Sequence, residues 1–143
     1  MKRRFLVDLN VVLDVLLERG AHARPAAALW AAIESGAAEG LLAAHGVTTL
    51  HYLARRHRGA RFAKQLVGEV LSVFEIVAVN RDVLLRAVAM PAGDFEDAVT
   101  ASRAIAAACD AVVTRDPSGF RRTAVTVLAA EEALALLEAD EEG

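Results

Sequence analysis

Two periods of hydrophobic residues alternate along the chain. Phe5-Leu6-Val7 is an unbroken apolar burst that stops at Asp8, after which Val11, Val12, Val15 and Leu16 recur at helical spacing. A short continuous apolar run predicts a buried strand, and recurrence at three and four residues predicts a helix with one face inward. Arg24 to Ser35 predicts a second helix, with Pro25 in the first turn where a missing N–H costs least. Its Leu29, Trp30 and Ile33 share a side, and the Ala- and Leu-rich surface from Ala26 to Ile33 is a candidate partner contact. Leu41 to Ala44 predicts a strand, Thr48 to His57 a helix stopped by Gly59, and Arg61 to Phe74 a helix with Phe62, Leu66, Val70 and Phe74 at four-residue steps. A strand over Glu75 to Val79 and a helix over Asp82 to Met90, ended by Pro91, come next. An alanine-rich helix from Asp94 to Ala108, strands at Ala111 to Thr114 and Val125 to Leu128, and a closing helix from Glu131 to Glu138 complete the pattern.

Five strands alternating with helices predict one α/β domain over residues 1–143, with a parallel sheet covered on both faces. Such sheets bind ligands in the crevice beyond the carboxyl ends of their strands, so the residues just past each strand are the candidates for chemistry. Asp8 closes the first strand, with Asn10 two residues on, and Asp116 lies two residues beyond Thr114. Asp94-Phe95-Glu96-Asp97 opens the helix that leads into the fourth strand. That helix must run antiparallel to its strand, and its fifteen residues span ~22 Å at ~1.5 Å each, so its N-terminus returns to the carboxyl edge. Asp8, Asp97 and Asp116 are therefore expected at one edge, whereas Asp110 opens its strand and belongs ~20 Å away at the other.

Each acid has an ordinary explanation on its own. Asp94 suits a helix N-cap, Glu96 and Asp97 a first turn, and Asp116 a turn before Pro117-Ser118-Gly119. An acid interrupting an apolar stretch, as Asp8 does, is costly without a partner. Carboxylates forced together raise one another's pKa unless a cation lies among them, and a hard divalent ion, Mg²⁺ or Mn²⁺, suits all-oxygen donors.

Composition narrows the classes. The chain has 55% hydrophobic residues, 31 of its residues being alanine, which suffices for a core and excludes disordered and collagen-like chains. Sixteen Lys and Arg against 19 Asp and Glu give a net charge of −3, which argues against gripping nucleic acid through bulk charge but allows a local basic face. The densest basic run is Arg55, Arg56, His57, Arg58, Arg61 and Lys64; Arg121 and Arg122 follow Asp116, and Arg115 beside it is a candidate ion-pair partner. Cys109 is the only cysteine, so no disulfide framework forms within the chain. Lys2 to Leu17 imitates a signal peptide, but Asp8, Asn10 and Asp14 interrupt it, and no apolar run reaches the ~18 residues of a membrane span. A cytoplasmic protein is expected. The four histidines lack metal-ligand spacing, His51 reads as partly buried, no glycine-rich phosphate loop is present, and aromatics are too sparse for a base-stacking track.

Val7-Asp8-Leu9-Asn10-Val11-Val12-Leu13-Asp14 resembles the opening motif of PIN-domain proteins. Asp94-Phe95-Glu96-Asp97-Ala98, followed by Cys109-Asp110-Ala111-Val112-Val113-Thr114-Arg115-Asp116 through Phe120, is similar to their C-terminal half. The resemblance implies a three-layer α/β/α fold with a central parallel sheet of about five strands. It also implies a Mg²⁺- or Mn²⁺-dependent endoribonuclease that leaves 5′-phosphate and 3′-hydroxyl ends, often as the VapC-like toxin of a toxin–antitoxin pair. By position, Asp8, Asp97 and Asp116 match the family's metal-binding and catalytic acids, and Asn10 its supporting polar residue. The family's usual glutamate after the second strand is missing, as in a branch carrying the Asp-Phe-Glu-Asp-Ala motif; Thr49 stands at its place and Glu96 is a candidate to compensate in charge. Thr49 and Thr114 are candidate supports for water or phosphate, and Arg55, Arg56, Arg58, Arg121 and Arg122 candidate RNA contacts. An RNA substrate, a cognate antitoxin and a homodimer are the partners implied. The missing glutamate leaves a second possibility, a catalytically degenerate module that binds RNA or a protein without cleavage. A haloacid-dehalogenase phosphotransferase fits less well, because Asn10 replaces that class's second aspartate and the chain is short for a cap and core.

Overall fold

The computed structural model describes residues 2–91 and 93–143. Strands β1 (Arg4–Val7), β2 (Glu39–Ala43), β3 (Glu75–Val77), β4 (Ala111–Val113) and β5 (Val127–Leu128) form one sheet in the order β3-β2-β1-β4-β5, every pair parallel. Helices α1 (Leu9–Leu16) and α2 (Ala23–Glu34) join β1 to β2, and α3 (Ala44–Arg58) and α4 (Ala60–Val73) join β2 to β3. Helices α5 (Arg81–Ala89) and α6 (Phe95–Ala106) lead to β4, and α7 (Ala130–Glu142) closes the chain.

Strand residues alternate between two cores, as the pleat requires. Phe5, Val7, Leu42 and Val113 face α1, α2, α3, α4 and α7, burying Leu29, Leu50, Leu66 and Val70 with them. Leu6, Leu41, Val77 and Val112 face the opposite layer, where Ala101 and Ala104 of α6 and Phe120 cover them. The small alanines let α6 lie close to the sheet, and α5 packs outside it through Val83 and Ala87. Three layers result, the architecture expected from the sequence.

Strand β3 stops at Val77 rather than Val79, β5 is only Val127–Leu128 rather than Val125 to Leu128, and two further expectations change. Helix α3 starts at Ala44 rather than Thr48, straight off β2, with no side chain capping it. The Ala26 to Ile33 segment of α2 offered as a partner contact is partly used: Ala26, Leu29 and Ile33 are buried against α1, the sheet and α7, while Ala27, Ala28 and Ala31 stay exposed. Asp110 lies, as expected, at the amino edge, where its carboxylate accepts the Arg4 backbone N–H at 2.8 Å. No helix among the described residues is long and apolar enough to cross a membrane.

Candidate active site

The chain winds outward from β1 through β2 to β3, then returns to lay β4 against the other side of β1. The reversal opens a crevice beyond the carboxyl ends of β1 and β4, the usual ligand position in such sheets. Val7 pairs with Val113, so Asp8 and Thr114 leave the sheet side by side. The Asp8 N–H donates to the Val113 carbonyl at 2.8 Å, extending the ladder by one bond and holding Asp8 extended as the N-cap of α1. The buried Thr114 hydroxyl donates to Asp8 Oδ2 at 2.7 Å and accepts the Asp116 N–H at 3.1 Å. One hydroxyl thus ties two of the three acids to one another through the backbone of the second.

The third acid arrives on α6. Asp94 caps that helix by accepting the Asp97 N–H at 3.1 Å, which fixes the first turn and sets Glu96 and Asp97 at the cleft. Asp116 begins a 3-10 turn, Pro117–Phe120, and its Oδ1 accepts the Ser118 hydroxyl at 2.6 Å and the Ser118 N–H at 3.3 Å. Gly119 lies in that turn directly under Asp97, where a Cβ would overlap the carboxylate oxygen Oδ2.

A cleft of about 340 Å³ collects these groups. Asp8, Asn10, Asp94, Glu96, Asp97 and Asp116 line one side, and His45, Gly46, Val47 and Thr49 of α3 line the other. Burial, more than neighbouring charge, lifts the Asp8 carboxyl above its ordinary value, against the opposing pull of the Thr114 hydroxyl. Asp97 is pushed up to about 6, first by burial and then by the charges of Asp94, Asp8, Asp116 and Glu96. Burial and mutual repulsion together mark a concentrated cluster of carboxylates. Among the described residues, no group of three or more His, Cys, Asp or Glu side chains is already arranged to hold a metal ion. The donor chemistry, all oxygen and uncompensated in charge, nonetheless fits a hard divalent cation.

Of the residues singled out from sequence, Asp8, Asn10, Thr49, Glu96, Asp97 and Asp116 line this cleft, and Thr114 stands directly behind Asp8. Arg121 and Arg122 line an adjoining hollow with Ser118 and Gly119, on the turn that carries Asp116. Arg55, Arg56 and Arg58 do not join the cleft. Helix α3 carries them to its far end, ~15–20 Å from His45 by helical rise, where Arg56 lies over Tyr52 and Arg58 over Phe62. Arg115 does form an ion pair, but with Asp14 at 3.5 Å rather than with the neighbouring Asp116.

Three residues have roles that the sequence does not announce. His45 lacks metal-ligand spacing, yet it faces the cleft with a buried Nδ1 that has no hydrogen-bond partner among the described residues. Gly119 read as an ordinary turn glycine. Asp14 counted only as an interruption of an apolar stretch, although an acid on the inward side of an amphipathic helix is itself a sign of a built-in partner.

Comparison with known proteins bears on the fold and the family. The sequence profile of the PIN domain matches residues 4–118. No curated protein matches the chain in sequence. Among solved structures, VapC20 of Mycobacterium tuberculosis, a Sarcin-Ricin loop cleaving toxin, superposes with a TM-score of 0.64 at 19% identity, covering 79% of this chain and 90% of that one. A toxin–antitoxin complex from Klebsiella pneumoniae gives 0.67 at 20% identity, with coverages of 87% and 96%. DNA-bound VapBC from Salmonella typhimurium gives 0.70 at 16% identity, with coverages of 91% and 99%. These likenesses concern the fold, and the profile match spans most of the chain. With its acids gathered at the reversal of a five-stranded parallel sheet, the chain belongs to the PIN-domain family.

Proposed function

We propose that this protein is a Mg²⁺- or Mn²⁺-dependent endoribonuclease, acting in the cytoplasm as the toxin of a toxin–antitoxin pair. The observation that carries the proposal is the meeting of Asp8, Asp97 and Asp116, from three distant parts of the chain, in one cleft where their charges are unbalanced. Membership of the PIN-domain family and the toxin–antitoxin neighbours support it.

Asp8, Asp97 and Asp116 would hold the ion, which when bound supplies a Lewis acid for a phosphate oxygen and lowers the pKa of a bound water. Thr114 keeps the Asp8 carboxylate aimed into the cleft and fixes the backbone of Asp116. Asp116, its other contacts made by Ser118, orients the attacking water. Asn10 and Thr49 bond the phosphodiester from opposite sides of the cleft, and Glu96 adds charge across the cleft from α3, which brings no carboxylate. Arg121 and Arg122 neutralise a neighbouring backbone phosphate. A homodimer and an antitoxin are proposed as partners; exposed Leu84, Leu85 and Val88 on α5 supply apolar surface for association.

Mn²⁺ titration by calorimetry tests the reading, with Asp8→Asn and Asp97→Asn variants checked for folding. A saturable site in the wild type, lost in both variants, is expected. Absence of binding up to millimolar metal in the folded wild type overturns the nuclease and leaves a non-cleaving PIN module, which the lack of a glutamate on α3 would then explain.

A further inference from the structure

Asp14 is the most buried charged residue described, its side chain only 2% exposed, and it is shared by two arginines. Arg19 Nε donates to its Oδ1 at 3.0 Å, and Arg115 Nη1 approaches the same oxygen at 3.5 Å. Arg19 Nη2 also donates to the Asn10 carbonyl at 3.4 Å. Asn10 and Asp14 are one turn apart on α1, and Arg115 immediately precedes Asp116, so the cluster adjoins the acid cleft.

Its charge does not cancel: one carboxylate faces two guanidiniums. Arg19 Nη1 and Arg115 Nε and Nη2 make no hydrogen bond among the described residues, and the two side chains remain 35% and 33% exposed. The chain also adopts an uncommon conformation to place Arg19. Glu18, which is not glycine, takes a left-handed φ of 48° immediately before it, and the Arg19 N–H returns to the Asp14 carbonyl at 3.1 Å. Strain of this kind persists where surrounding contacts over-determine a residue's position. A single arginine would suffice to neutralise Asp14. Two of them, each a third exposed and with unbonded donors on a planar fork, suit a phosphate.

We propose that Arg19 and Arg115, organised by Asp14, form a subsite for the RNA backbone phosphate next to the one held at the acid cleft. The inference rests on the nuclease reading. It gives a net acidic protein local positive charge beside Asn10 and Asp116.

The test measures binding of a fluorescein-labelled, mixed-sequence single-stranded RNA by anisotropy over a salt series, with Ca²⁺ present to suppress cleavage. Arg19→Gln and Arg115→Gln each leave Asp14 one arginine within 3.5 Å, and urea unfolding checks that each variant remains folded. Each is expected to weaken binding roughly tenfold and to reduce the slope of log Kd against log salt by about 0.7, the counterion release of one phosphate contact on a single strand. The Arg→Lys variants are expected to recover the slope. Unchanged affinity and slope in both glutamine variants, or no RNA binding by the wild type, overturns the subsite. Mn²⁺ titration of the same variants separates this from the nuclease reading. Wild-type metal affinity is expected in both, and its loss would make the arginines supports for the Asp116 loop instead of phosphate ligands.

Discussion

At the scale of single residues, two atoms of contact decide whether the acids are usable. Thr114 donates to Asp8 and accepts from Asp116, so Thr114→Val, close in shape, deprives both of a partner. A loss of about 1–3 kcal/mol is expected, measured by urea unfolding, together with weaker Mn²⁺ binding. Gly119 is the other such position. Gly119→Ala would place a methyl group against the Asp97 carboxylate, and a fall in Mn²⁺ affinity with a retained circular dichroism spectrum is expected. The acids themselves were legible in sequence, because a carboxylate that ends an apolar run or opens a helix is conspicuous in one dimension. Gly119 was not, since its role depends on a helix more than twenty positions earlier passing over the turn. His45 was missed for a related reason: its exposure to the cleft follows from where α3 begins.

That start is a matter of elements. Helices α5 and α6 begin within a residue of the starts expected from sequence, Asp82 and Asp94, and the side chains of Asn80 and Asp94 accept the N–H groups of Val83 and Asp97. Helix α3 has Ala43 at the same position and Gly46 in its first turn, so nothing local announces it and Gly46 reads as an interruption. Its start is set by β2, which ends at Ala43 and delivers the chain directly into the helix. The capped helix that carries Asp97 is correspondingly sensitive: Asp94→Ala is expected to cost about 1 kcal/mol in thermal or chemical unfolding. Because the same bond fixes the first turn, that variant is expected to weaken Mn²⁺ binding as well. The strand-and-helix alternation predicted parallel pairing correctly, but it carries no information on strand order; the placement of β4 beside β1 emerges only from packing.

For the whole molecule, the unbalanced acids make stability depend on pH and metal together. Asp97 titrates near 6 in the fold against 3.8 ordinarily, and Asp8 is shifted in the same direction. Between those values the folded state binds protons more tightly than the unfolded chain, so stability falls as pH rises through the window. In chelator, the melting temperature is therefore expected to rise on going from pH 7 to pH 5, an effect on the order of 1 kcal/mol once solvent screening of the partly exposed Asp97 is discounted. Asp97→Asn is expected to flatten that dependence. Saturating Mn²⁺ is expected to reverse it, since protons then compete with a ligand that stabilises the native state. Differential scanning fluorimetry across pH, with and without metal, checks all three outcomes.

The return of the chain to β1 has a further consequence for the protein as it is made. Until β4 emerges, β1 has a neighbour on one side only, and Phe5, Leu6 and Val7 present an unpaired edge. Open strand edges recruit other strands. A chain interrupted anywhere between β3 and β4 would therefore lack Asp116 and carry a sticky, half-built sheet, a species inclined to self-association and degradation. Strand order thus makes completion of synthesis a condition for both solubility and an intact acid cleft.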